Sequence, residues 1–229
     1  MLSVAVLYPE LLGTYGDVGN GLVLVERARR RGFDAQLLRV GLGDSMPEAS
    51  IYLLGGGEDG PQRLARDLLG ESSFVSRVAD GAYVFAVCAG LQILGRVFSV
   101  EGNDRYDGLG LVDADTVRGE RRSVGELAVK VQSRWLVGFE NHGGRTTLSD
   151  GLEAFGTVER GRGNDGALDG YRVGRIRATY AHGPVLAMNP WLADDLLSTM
   201  LDEELAPLAT VADRLYEARC NALGLTPLV

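Results

Sequence analysis

The segment Tyr83 to Leu94, YVFAVCAGLQIL, decides the architecture. Tyr83 to Val87 is a continuous apolar run of the kind a fully buried strand carries, and Ala89 to Phe98 (AGLQILGRVF) has a helical pattern directly behind it. Cys88 therefore sits at a strand-to-helix junction, followed by Ala89 and Gly90, small residues that relieve the crowding of a sharp turn. Such a junction lies at the carboxyl edge of a sheet, where ligands of open α/β folds bind. The free N–H groups and dipole of the following helix are expected to lower the thiol pKa and stabilise developing negative charge. Turns of this kind expose the nucleophile of serine hydrolases. A free cysteine is more often a buried, inert side chain. The Ala-Gly pair at a strand-to-helix break favours the nucleophile.

Outward from this segment the first half alternates strand and helix. Ser3 to Tyr8, Asp34 to Val40 and Ile51 to Leu54 read as strands; Gly21 to Arg31, Pro61 to Leu69 and Phe74 to Ala79 read as helices. Gly32 suits a helix stop and Pro61 a first helical turn. Alternation of this type predicts a mostly parallel central sheet flanked by helices. The second half predicts an antiparallel strand extension: Ser123 to Gln132, Leu136 to Phe139 and Leu152 to Glu159, with a turn at Gly161 to Gly166. Arg177 to Ala181 is a strand returning to the central sheet, and Pro190 to Glu204 and Leu208 to Leu223 are closing amphipathic helices. No linker or repeat interrupts the chain, so residues 1–229 read as one α/β domain.

A nucleophilic cysteine needs a base. Of the two histidines, His182 ends a strand before Gly183 and Pro184, a context matching that of Cys88, whereas His142 lies in GFENHGGRT, read as a turn after a strand. Gly55, Gly56 and Gly57 follow the third strand at the same sheet edge. Their N–H groups, with that of Ala89, are candidates for an oxyanion hole; a plain flexible loop is the alternative. Tyr15, Asp17 and Asn20 follow the first strand and either line the pocket or cap the first helix. Cys220, in the last helix, reads as structural.

Five segments together resemble a known family: TYGDVGN (Thr14 to Asn20), YLLGGGEDG (Tyr52 to Gly60), VFAVCAGLQILG (Val84 to Gly95), GFENHGGRT (Gly138 to Thr146) and TYAHGPVLAMNPWLADDLL (Thr179 to Leu197). They resemble class I glutamine amidotransferases of the cobyric acid synthase branch. Within it they are similar to the glutaminase subunits of lipid II isoglutaminyl synthase. The resemblance implies hydrolysis of L-glutamine through a thioester on Cys88, with His182 as the proton-transfer group. It further implies that ammonia passes to a MurT-like ATPase of the Mur-ligase type, in a heterodimer. That partner amidates the D-glutamate α-carboxyl of lipid II to D-isoglutamine during peptidoglycan synthesis. No cofactor and no metal is expected on this chain; ATP and magnesium belong to the partner, in keeping with the lack of a P-loop motif. The resemblance places Arg122, with Arg121 as the alternative, near the glutamine α-carboxylate. It gives Glu140, Asn141 and His142 a supporting or docking role ahead of a catalytic one. Pro184 stands where many relatives carry a carboxylate that orients the histidine, which leaves a Cys-His dyad with its third member open.

Composition bounds these readings. A net charge of -8, with Arg29 to Arg31 as the sole arginine run, makes nucleic acid an improbable partner. Two cysteines, no basic amino-terminal region and no bilayer-length apolar stretch point to a cytoplasmic protein that reaches membrane-borne substrate only through a partner.

Overall fold

The computed structural model describes residues 1–100 and 104–226. The central sheet has the order β11-β12-β4-β3-β1-β2. Its parallel strands are β1 (Leu2–Leu7), β2 (Ala35–Val40), β3 (Ile51–Leu54), β4 (Tyr83–Val87) and β12 (Ile176–Thr179); β11 (Tyr171–Val173) is an antiparallel edge on β12. All four residues of β3 and four of the five in β4 are buried, because helices cover both faces of the sheet. These helices are α1 (Val18–Arg29), α2 (Asp59–Glu71), α3 (Phe74–Ala79), α4 (Ala89–Leu94), α5 (Val185–Met188) and α6 (Pro190–Leu201). The expected α/β class and most of its elements are observed.

The second sheet has the order β10-β9-β7-β5-β6, with β8 also paired to β7. Its strands are β5 (Val97–Ser99), β6 (Arg105–Asp107), β7 (Ala114–Val131), β8 (Arg134–Leu148), β9 (Gly156–Arg160) and β10 (Leu168–Asp169). Helix α7 (Val211–Ala222) packs on β8. There Cys220 is buried with Ala128, Trp135 and Val137, the structural place expected for it.

Several boundaries differ from the sequence reading, among them the strand expected from Ser123, which starts at Ala114 because its first half also pairs with β8. The helix after Cys88 stops at Leu94, and Val97 and Phe98 enter β5, because Gly95 is extended and the Arg96 N–H bonds to Ala114 O at 2.9 Å. Regular pairing in the Leu152 to Glu159 region starts only at Gly156. The largest difference concerns GFENHGGRT, which is no turn but the middle of β8, paired with β7 across a register shift between Arg118 and Ser123. Its glycines serve close approach: a Cβ on Gly144 would lie 2.5 Å from Gln92 Nε2, and one on Gly138 would lie 2.7 Å from His182 O. The β7–β8 ribbon is thereby laid over α4 and the end of β12.

Candidate active site

The site forms where the carboxyl ends of β1, β3, β4 and β12 meet the β7–β8 ribbon. Cys88 links β4 to α4 with φ 49 and ψ -102, a conformation uncommon for a residue with a side chain. The turn is over-determined. Cys88 N–H donates to Thr179 O at 3.0 Å, Gln92 N–H donates to Cys88 O at 3.0 Å, and Gly90 N–H donates to Gly55 O at 3.1 Å. A side chain at Gly90 has no room, since its Cβ would lie 2.6 Å from Leu54 Cβ. The residues that make the junction legible in sequence are those that hold it in space.

The cleft in front of Cys88 is narrow and polar, lined among others by Gly57, Glu58, Arg118, Arg122, Asn141 and His142. Of Arg121 and Arg122, only Arg122 is in the lining; Arg121 instead offers its carbonyl to Arg145 Nη2 at 2.7 Å. The Arg122 Nε–H donates to Asn141 Oδ1 at 2.5 Å, and Asn141 Nδ2–H donates to the Tyr15 hydroxyl at 2.8 Å. Arg118, paired with Asp59 at 3.5 Å, shares the cleft. No motif in the sequence singled it out, because it reaches the site only through the pairing of β7 with β8.

His182 follows β12, whose last residue Thr179 pairs with Val87, so Cys88 and His182 emerge from neighbouring parallel strands. The imidazole is fully buried and is not part of the cleft lining. It lies against Tyr15 (ring centroids 4.2 Å apart) and Phe139 (5.4 Å), and a Cβ on Gly56 would come within 2.5 Å of its Cε1. Neither ring nitrogen has a hydrogen-bond partner among the described residues. Burial pushes its pKa down to about 3, with His142 and Arg122 adding to the effect, so the ring is neutral at physiological pH. The turn that carries it is held by a buried carboxylate absent from the sequence reading. Asp169 accepts the Thr179 hydroxyl at 2.5 Å and the Tyr180 N–H at 3.1 Å, and Thr179 Oγ1 accepts the Ala181 N–H at 3.0 Å.

The thiol corrects an expectation. Burial pushes the Cys88 pKa up to about 12, and Asp17 adds to the rise; the Ala89 N–H and Arg122 act in the opposite direction without overcoming it. The six-residue α4 does not offset desolvation, and the resting sulfur is a protonated thiol.

The three glycines have separate jobs. Gly55 is buried and its carbonyl anchors Gly90; Gly56 N–H donates to Asp17 Oδ2 at 3.0 Å; Gly57 alone of the three lines the cleft. The Ala89 N–H favours negative charge on the Cys88 sulfur. Neither Asp17 nor Asn20 caps α1: Asp17 turns to the glycine loop and Asn20 Oδ1 accepts Leu186 N–H at 2.9 Å.

Glu140 and His142 form a buried support. Glu140 accepts the N–H groups of Arg162 (2.8 Å) and Gly163 (2.9 Å) and lies 3.0 Å from His142 Nε2. Burial opposes its charge, but the His142 bond and the Gly163 and Arg162 N–H groups hold the carboxyl below the usual range. His142 Nδ1 faces Gly144 O at 3.1 Å, and its ring stacks on Tyr180 at 3.9 Å.

The geometry agrees with what the chain is similar to. Residues 3–190 match the CobB/CobQ-like glutamine amidotransferase domain. A relative in Streptococcus pneumoniae, named lipid II isoglutaminyl synthase (glutamine-hydrolyzing) subunit GatD, is 33% identical over 89% of this chain and 82% of its own length. The subunit of the same name in Staphylococcus aureus is 28% identical over 90% of this chain and 87% of its own length. A crystal structure of a glutamine amidotransferase covers 87% of this chain and 98% of its own with a TM-score of 0.58 at 20% identity, a likeness of fold. With a cysteine elbow and a buried histidine on neighbouring strands of that fold, the chain belongs to the CobB/CobQ-like glutamine amidotransferase family and is a glutamine amidotransferase enzyme.

Proposed function

We propose that this chain is the glutaminase subunit of a lipid II isoglutaminyl synthase. The carrying observation is Cys88, strained at a strand-to-helix turn and lining a polar cleft, with the unpartnered His182 imidazole on the neighbouring strand. In this reading the Cys88 sulfur attacks the side-chain amide carbon of L-glutamine as its proton passes to His182. The tetrahedral oxyanion is stabilised by backbone N–H groups, with Gly57 and Ala89 as the donors. His182 protonates the departing ammonia, and then draws a proton from the water that cleaves the thioester. Arg122 pairs with the glutamine α-carboxylate from the ribbon side of the cleft.

The acceptor half of the reading rests on the names and near-full-length match of the two GatD relatives. Ammonia passes to a MurT-like partner of the Mur-ligase type, which binds ATP and magnesium and amidates the D-glutamate α-carboxyl of lipid II. No described helix is long and apolar enough to cross a membrane, so the reading routes access to the lipid through that partner. The test is glutamate release by the complex with its ligase, wild type against Cys88→Ala. Loss of release in the variant is expected, and unchanged release overturns the reading. Glutamine-dependent amidation of lipid II by the same complex tests the acceptor.

A further inference from the structure

The His182 imidazole is fully buried and stands apart from the cleft that Cys88 lines, yet the scheme above needs the two in contact. Tyr15 fills the space between the imidazole and the glycine loop. Its ring is tilted 51° against His182 with centroids 4.2 Å apart, and a Cβ on Gly56 would lie 3.2 Å from its Cδ2. Phe139 packs on both rings, 5.4 Å from His182 and 5.7 Å from Tyr15. Of these two covers, Phe139 is fixed in β8 by its backbone bonds to His182. Tyr15 is half-buried in the β1–α1 loop, between exposed Thr14 and exposed Gly16, whose φ is 78. Beneath it both imidazole nitrogens lack a hydrogen-bond partner among the described residues. Such a state is costly in the interior and ends when a reacting group reaches the ring.

Tyr15 is held over the ring by the arginine that meets the substrate. Arg122 spends its Nε–H on Asn141 Oδ1 at 2.5 Å and an Nη2–H on Asn141 O at 3.4 Å, and Asn141 Nδ2–H donates to the Tyr15 hydroxyl at 2.8 Å. The Arg122 guanidinium is itself a hydrogen-bonding neighbour of that hydroxyl. A two-pronged carboxylate contact takes adjacent N–H groups from one edge of a guanidinium. The Nε–Nη2 edge is the one now engaged on Asn141. We propose that Tyr15 and Asn141 are specificity-determining positioning residues that make the base conditional on a carboxylate. They cover His182 until an amide bearing a free carboxylate takes the Nε–Nη2 edge of Arg122, which releases Asn141, then Tyr15, and opens the imidazole to the cleft. The proposal rests on the glutaminase reading and adds the substrate class: amides that carry a carboxylate, with others rejected at the chemical step as well as in binding.

The test compares ammonia release from L-glutamine and from L-glutamine α-methyl ester, which keeps the amide and lacks the charge, by the complex with its ligase. Loss of the Arg122 contact raises KM for the ester in any case. The gate adds a fall in kcat, expected to be roughly tenfold or more in wild type. Tyr15→Phe keeps the ring and cuts the bond to Asn141. In that variant the ester-to-glutamine kcat ratio is expected to recover toward one while the KM difference stays. A loop merely loosened by the substitution moves both kcat values together. Equal kcat values in wild type, or an unmoved ratio in Tyr15→Phe, overturn the proposal. A second measurement keeps Tyr15 and needs no turnover: in Cys88→Ala, the contact between the Tyr15 and His182 rings is followed by NMR as a nuclear Overhauser effect. Saturating L-glutamine is expected to abolish it and the ester to leave it in place. Persistence with glutamine, or loss with the ester alike, overturns the gate. The failures therefore separate. Ring separation without glutamate release by wild type keeps the gate and removes the glutaminase reading; release without ring separation removes the gate alone.

Discussion

His182 and Phe139 are joined through both faces of their backbone: His182 N–H donates to Phe139 O at 2.7 Å, and Phe139 N–H donates to His182 O at 3.3 Å. This isolated bridge ties the end of β12 to the ribbon, and the two rings stack beside it. The backbone of the proposed base is thus rigid while its ring nitrogens are left free for a reacting group.

Acid pH is expected to read out that burial. Burial holds the folded His182 at about 3, against 6.5 for a solvated imidazole. As pH falls from 6.5 toward 3, the unfolded chain takes up a proton that the fold refuses, so stability is lost across that window. His182→Asn removes this contribution. Thermal melts at pH 7 and pH 4 are expected to show wild type losing about 1–3 kcal/mol relative to the variant. Glutaminase activity of the variant is expected to fall by roughly 100-fold or more. Asp169, pushed up to about 6 by burial, titrates in the opposite sense in both proteins and cancels in the difference.

Alkaline pH probes the thiol. Cys88 is held as a thiol up to about pH 12, whereas the unfolded side chain ionises near 9. Stability is therefore lost as pH rises above 9, and Cys88→Ala lacks that loss. Chemical denaturation at pH 8 and pH 10.5 is expected to show the wild type declining more steeply than the variant; parallel declines would place the thiol in solvent.

Gly90→Ala tests the elbow. The new methyl group would meet Leu54 Cβ at 2.6 Å and Leu54 O at 2.9 Å, in backbone that has little freedom to retreat. A loss of about 1–3 kcal/mol in denaturant titrations is expected, together with slower alkylation of Cys88.

Glu140→Ala leaves His142 and the N–H groups of Arg162 and Gly163 without their buried acceptor. Destabilisation of about 3–5 kcal/mol is expected. Glu140→Gln is expected to recover part of it, since one amide oxygen still accepts.

Arg122→Ala separates binding from chemistry. The side chain is on the cleft rim, away from the thiol's own backbone supports. A contact to the glutamine α-carboxylate is made equally in ground and transition states, so KM is expected to rise roughly 10-fold or more while kcat changes little. Steady-state kinetics with the partner present checks this, and a kcat effect alone would assign Arg122 to the reacting end.

Much of this protein was determined by local pattern in the chain. Short apolar runs between helical stretches specify the parallel sheet, and Cys88 before Ala89 and Gly90 specifies the elbow, because strand period, helix period and turn chemistry act over a few residues. Contacts between distant segments decided the rest. GFENHGGRT reads as a turn by its glycines and is strand because those glycines accommodate α4 and His182. Asp17 reads as a pocket-lining or helix-capping residue and instead bonds Gly56, 39 positions away. The protonation of Cys88 and His182 follows from burial and from charges brought in by other elements, quantities that exist only once the chain is packed.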